Sequence, residues 1–219
     1  MSILKREPFL VKLNDGALDD FIALFDNMPA DISALCEKRG VDNFSIWYVS
    51  GFAFGYYEIT KEYTLTDEDK AALKAFGDAV SACGEILGNG FTQPMRLMYS
   101  DIGIVREDKS LIRHRVFATC LKPGCEEEYK RRHDELAASH GDTLREGPDS
   151  NFTIWHTQRY IFGYCELVRA FDHEKTEEEL AATIAWETRG LEIMDWITDD
   201  VDWLTGEKHD SIKLVWQQK

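Results

Sequence analysis

Two side chains in this sequence have the types and the spacing for proton-transfer chemistry. They are the phenol and imidazole of Tyr129-Lys130-Arg131-Arg132-His133. The stretch around them, Glu126 to Ala138, is rich in good helix formers, so residues four apart fall on one face with Cβ atoms about 6 Å apart. A phenol and an imidazole so placed reach the same small ligand. An unperturbed imidazole pKa of about 6.5 allows a proton to be given or taken at neutral pH, an assistance typically worth about 10²–10⁴ in rate. On residue types alone, however, the pair reads more simply as part of a solvated helix face.

The elements that must hold this pair emerge when the chain is compared with itself. At a shift of 108, Asn43-Phe44-Ser45-Ile46-Trp47 lies over Asn151-Phe152-Thr153-Ile154-Trp155, and Phe54-Gly55-Tyr56-Tyr57-Glu58 over Phe162-Gly163-Tyr164-Cys165-Glu166. The same shift places Phe9 on Phe117, Leu13 on Leu121 and Gly16 on Gly124. Such self-similarity is the mark of a repeated unit.

Each copy reads alike. A first strand (Phe9 to Leu13; Arg115 to Leu121) ends in a glycine turn and is followed by a helix (Leu18 to Lys38; Glu126 to Ala138). A hairpin follows, turning at Ser50-Gly51 and Gln158-Arg159 and ending in Glu58 and Glu166. A second helix starts at Thr66-Asp67-Glu68 and at Thr176-Glu177-Glu178, each a cap residue followed by acids that suit a helix N-terminus. Met95 to Tyr99 and Ile212 to Trp216 read as the last strands.

The order βαββαβ, twice, predicts an α+β protein of two ferredoxin-like repeats, over 1–110 and 111–219, with a linker near Glu107 to Leu111. Phe44, Ile46 and Tyr48 alternate along one strand, as do Phe152, Ile154 and His156, and these apolar faces are expected to be turned away from the helices and covered by the other repeat. That closure would form an intramolecular dimeric α/β barrel, in a monomer with an internal pseudo-dimer or in a homodimer.

Bulk properties exclude several function classes. A net charge of -15 with no basic stripe makes nucleic acid an unfit partner. No apolar run reaches a membrane span, and Met1 to Arg6 lacks a signal-peptide core, so a cytoplasmic location is expected. Five cysteines at irregular spacings, with no CxxC, indicate neither a disulfide framework nor a zinc site, and Cys120 and Cys125 bracket a turn without further ligands nearby. His114, His140, His173 and His209 are scattered, with no HxH or HExxH grouping. No metal or cofactor is expected.

The stretch from Phe117 to His133, with its Lys122-Pro123-Gly124 turn and its Tyr-x-Arg-Arg-His motif, resembles the L-rhamnose mutarotase family. The register holds through His140-Gly141 and Asn151, so the resemblance covers Arg115 to about Val201. It implies a sugar mutarotase, an isomerase that opens and recloses the pyranose ring, with His133 as the catalytic proton donor and Tyr129 on the substrate.

The remaining site is expected to hold sugar hydroxyls and to offer an aromatic wall, for which Phe152, His156 and Trp196 are the candidates. His156, on the strand face of Phe152, is also a candidate second proton-transfer group, for which the family has no counterpart. The family has a tyrosine at the position of Phe152 and a Trp-Trp pair at that of Ile193 and Met194. Trp186 and Trp196, read as lying on one helix, would restore the aromatic wall.

At the shift of 108 the first copy has Phe21 and Phe25 in place of Tyr129 and His133, so it is expected to be non-catalytic. Trp47 and Trp155 match between copies that differ in this chemistry, and so are read as core. Arg131 and Arg132 are read as solvent-facing charges or packing stems. Two functions follow: an aldose mutarotase for L-rhamnose, L-fucose or a related 6-deoxy sugar, or a non-catalytic barrel protein that binds a small ligand.

Overall fold

Ten strands in the computed structural model pair antiparallel into two five-stranded sheets, giving with five α-helices an α+β protein. The structure describes residues 2–89, 92–140, 149–170, 174, 176–198 and 212–218. In chain order these hold β1 (Lys5–Leu13), α1 (Leu18–Asp26), α2 (Ala30–Arg39), β2 (Val41–Val49), β3 (Phe52–Ile59), α3 (Asp67–Cys83), β4 (Gly84–Gly88) and β5 (Arg96–Asp101). After a 3₁₀ turn at Lys109–Leu111 come β6 (Ile112–Leu121), α4 (Glu126–His140), β7 (Asp149–Thr157), β8 (Tyr160–Val168), α5 (Glu177–Gly190), β9 (Met194–Thr198) and β10 (Lys213–Gln217). No helix among these residues is long and apolar enough to cross a membrane.

The first sheet runs β10-β2-β3-β1-β4 and the second β5-β7-β8-β6-β9. The strands expected to end each half therefore exist, but each completes the sheet of the other half. One compact unit is Met1–Met95 with Lys213–Lys219, and the other is Arg96–Ile212. Glu107 to Leu111, read as a linker, lies inside the second unit, where Lys109 Nζ meets Glu166 Oε1 at 2.8 Å. The strand that closes each half's own pattern is instead β4 or β9, pairing with β1 and β6.

The first helix of the first unit is two helices. Pro29 has no N–H and its ring opposes a continuing helix; at ψ 143° it begins a new one, so the chain turns between α1 and α2. Both second helices start in capping boxes: Thr66 with Asp69, and Thr176 with Glu179.

The alternating strand residues face the helices rather than away from them. Phe44 and Ile46 pack with Phe21 and Phe25 of α1 and Val80 of α3. Ile154, with Phe152 against it, packs with Tyr129 of α4. The helices supply the apolar partners that the sequence reading assigned to the other repeat.

Several backbone features recur at the 108 shift. Asn43 and Asn151 hold φ of 51° and 52° at bulges in β2 and β7, a left-handed geometry that asparagine tolerates. Each side chain donates to a buried carboxylate: Asn43 Nδ2 to Glu58 Oε1 at 3.2 Å, and Asn151 Nδ2 to Glu166 Oε1 at 2.9 Å. The hydroxyls of Tyr56 and Tyr164 donate to the same oxygens. Gly55 and Gly163 lie beneath the rings of Phe9 and Phe117, where an added Cβ would come within 1.8 and 2.0 Å of a ring carbon.

Candidate functional site

Tyr129 and His133 lie on the face of α4 turned to the second sheet, not on a solvated face. His133 is 8% exposed and Tyr129 4%. Helix α4 presents its charges outward, with Arg131 bonded to Glu128 and Glu135. Arg132 acts differently: its side chain bonds Glu128, the Arg189 carbonyl and Glu192, tying α4 to the C-terminal end of α5.

The two rings form a stack, with centroids 4.2 Å apart and planes at 27°. Nδ1 of His133 lies 2.9 Å from the Tyr129 carbonyl oxygen. A carbonyl only accepts, so Nδ1 carries the proton and the neutral ring has its lone pair on Nε2. Burial pushes the His133 pKa below the usual imidazole value, and the bond to Tyr129 offsets only part of that. Burial, with a contribution from Glu187, raises the Tyr129 pKa and keeps the phenol un-ionised.

Aromatic rings surround the imidazole. Tyr99 of β5 stands at 5.5 Å and Trp186 of α5 at 5.6 Å, both edge-on to His133. Behind Tyr99 comes Phe152 at 5.3 Å, and behind Phe152 comes Phe117 at 6.3 Å. Ile193 and Met194 are buried in the same cluster.

The sheet beneath α4 carries an unusual row. Arg96, His156, Ile161, Thr119 and Trp196 are successive partners across β5, β7, β8, β6 and β9, so their side chains share one face. Three of them hold buried polar atoms with no protein hydrogen-bond partner among the described residues: His156 Nε2, Thr119 Oγ1 and Trp196 Nε1. Buried polar atoms are nearly always paired, and a cluster of exceptions calls for an explanation such as a missing ligand or water.

Trp196 is on β9, not on a helix with Trp186, because α5 stops at Gly190. Even so, it packs against the cluster that holds Tyr129. His156 stands four residues along β7 from Phe152, at the end where Arg96, opposite it, pairs with Glu127 in the first turn of α4. Its pKa is lowered by burial, partly offset by a bond to the Gln158 backbone.

Thr119 and Tyr99 were not among the sequence candidates. Thr119 was detectable as the one hydroxyl between Phe117 and Leu121 on an alternating apolar strand. Tyr99 was read as part of the first repeat's last strand. His114 is half-buried beside Tyr164, 5.6 Å between rings. The side chain of His140, and His173 and His209 altogether, lie outside the described residues. The five cysteines are free thiols, and among the described residues no three metal-ligating side chains converge.

Fold and site together define an α+β protein whose second unit buries an imidazole among aromatic rings, beside a row of sheet residues with buried polar atoms. The family model for L-rhamnose mutarotase matches residues 114–218, so the second half of the chain is similar to the L-rhamnose mutarotase family. The family is one of carbohydrate isomerases. None of the curated proteins matches the chain significantly.

Proposed function

We propose that the chain is an aldose mutarotase for a 6-deoxy sugar such as L-rhamnose or L-fucose, acting in the second unit. The observation that carries this reading is the state of His133: a buried neutral imidazole whose Nδ1 proton is committed to the Tyr129 carbonyl, with Nε2 left as the proton carrier.

Ring opening moves one proton, from the anomeric hydroxyl O1 to the ring oxygen O5, as the C1–O5 bond breaks and C1=O1 forms. Both oxygens are bonded to C1, so one nitrogen can serve both. Nε2 takes the O1 proton, and the imidazolium then donates it to O5. Rotation about C1–C2 and the reverse transfers give the other anomer. Low imidazole basicity suits the second transfer, and the Tyr129 carbonyl favours the imidazolium between them.

Thr119, Trp196 and His156 offer their unpartnered atoms to sugar hydroxyls, while Tyr129 and Tyr99 flank the ring. Phenylalanine at 152 and at 117 suits the C6 methyl of a deoxy sugar. We further infer that the chain arose by duplication. The paired Asn–Glu–Tyr clusters and glycines at one fixed shift support this, and so does the exchange of last strands, which is what two swapped copies of a half-length chain would show.

The test is saturation-transfer NMR of anomeric exchange in L-rhamnose and L-fucose, with wild type and His133→Ala. Exchange accelerated by wild type and not by the variant is the expected result. No acceleration of either sugar by wild type would refute the enzyme reading and leave a binding protein.

A further inference from the structure

The first unit has a cavity of its own. Between α2, α3 and the sheet face that bears Phe9 and Phe44 lies a space of about 490 Å³, within the roughly 300–1,000 Å³ of small-molecule sites and far above the water-sized voids of a packed interior. Its body is aromatic. Phe25, at the position of His133 in the other unit, stands edge-on to Phe44 at 5.8 Å and to Phe76 at 5.5 Å, with Phe9 at 6.3 Å. The cavity has phenylalanine where the second unit has its proton carrier, so its use is binding.

The space is held open at a cost. Gly77 lies in the interior of α3, where glycine is about 1 kcal/mol worse than alanine. It lines the cavity, and a Cβ added there meets nothing within 4 Å. Alanine or leucine there would strengthen the helix, and a leucine side chain would project into the space.

One end of the cavity is polar and cationic. Arg39, in the last turn of α2, lines this end together with Tyr57, whose strand partner is the buried Glu7. Lys38 Nζ meets Asp69 at 3.3 Å and so joins the last turn of α2, which carries Arg39, to the first turn of α3, next to Lys70. Arg39, Lys70 and Lys74 line the space against a single carboxylate, Asp78, in a chain of net charge -15. Lys70 and Lys74 pair with Asp67 and Asp78 at the surface, contacts worth at most about 1 kcal/mol that an incoming carboxylate can replace.

From this geometry we propose that the first unit binds an aromatic monocarboxylate, its ring among the phenylalanines and its carboxylate on Arg39 beside Tyr57 and Lys70. A guanidinium has five donors in a planar fork that matches a carboxylate. The phenylalanine edges, where the ring quadrupole is positive, suit the face of an aromatic ligand.

The test is isothermal titration of the full chain with 2-naphthoate and with its neutral isostere 2-acetylnaphthalene. The expected result is one site per chain and a preference for the carboxylate of about tenfold or more, the size of a charged hydrogen bond. Arg39→Gln should remove that preference and leave the neutral probe's affinity unchanged. Gly77→Leu should abolish binding of both probes and raise the melting temperature. Equal affinity for the two probes in wild type, no binding of 2-naphthoate at about 1 mM, or binding unaltered in Gly77→Leu would each overturn the proposal. Anomeric exchange, a property of the other unit, should be unchanged in both variants, so this result is separable from that of the mutarotase reading.

Discussion

Thr119→Val should make the protein more stable and less active, the reverse of the usual effect of a buried substitution. Thr119 is fully buried, and its hydroxyl has no protein hydrogen-bond partner among the described residues. A buried hydroxyl left unpaired costs about 1–3 kcal/mol, so replacing it with a methyl of similar shape should recover that amount. In a chain of this length about 1 kcal/mol moves the melting temperature by about 2–4 °C, so the rise should lie near 2–12 °C. If the hydroxyl bonds a sugar hydroxyl, its loss removes a neutral hydrogen bond of about 0.5–1.5 kcal/mol, or about 2–10-fold in kcat/KM. Calorimetry and anomeric-exchange NMR read the two effects. Thr153→Val is the control, because Thr153 is equally buried but accepts from Trp155 Nε1 at 3.0 Å. It should destabilise by about 0.5–1.5 kcal/mol. A Thr119→Val protein that is less stable, or as active as wild type, would refute the argument that the site keeps an unpaired hydroxyl for its ligand.

Three further outcomes follow from the same geometry. His133→Phe copies what the first unit carries at Phe25 and should fold normally by circular dichroism, while anomeric exchange falls about 10²–10⁴-fold. His133, His156 and His114 all have imidazole pKa values lowered by burial. Their contribution to stability should therefore be full above the unfolded value of about 6.5 and be lost as pH falls through the lower folded values, because the unfolded chain takes up protons that the folded chain resists. Urea unfolding at several pH values should show this, less steeply in His133→Phe, and the acid limb of exchange activity should fall below pH 6.5. Glu166→Ala should destabilise by about 3–5 kcal/mol in denaturant unfolding, since it strips partners from Lys109, Asn151 and Tyr164 at once.

Much of the frame was legible because it depends on local chemistry. The capping threonines, the Pro-Gly and Ser-Gly turns, and the alternation along β2 and β7 each act over a few residues, so they can be read without knowing the fold. What stayed hidden depends on distant partners. Strands β4 and β9 are five residues each; β4 begins with no break after α3, and nothing in so short a run distinguishes it from a helix end. The exchange of β5 and β10 is a choice between two compatible sheet edges that no local pattern encodes. Alternation shows that a strand has an apolar face but not which layer covers it, hence the reversed assignment of Phe44 and Ile46. At the site, the Tyr-x-Arg-Arg-His resemblance pointed to Tyr129 and His133, but the row of Thr119, His156 and Trp196 becomes unusual only once packing leaves their polar atoms without protein partners among the described residues.

The positions shared by the two halves and those that differ separate two kinds of constraint. Asn43 and Asn151, with the carboxylates they bond, satisfy backbone strain at a bulge. Gly55 and Gly163 make room for a ring. Their replacement would disturb any occupant of either unit. The helix face is different, because Phe21 and Phe25 fill the positions of Tyr129 and His133 without altering the strand frame. The sheet therefore sets where a ligand can lie, and the side chains of the covering helix set what is done to it. On the proposed mutarotase reading, exchanging the pair Tyr129 and His133 for phenylalanine removes the proton carrier and leaves the strand frame as it is. The first unit, with its glycine-backed void and cationic end, has the form such a loss would leave.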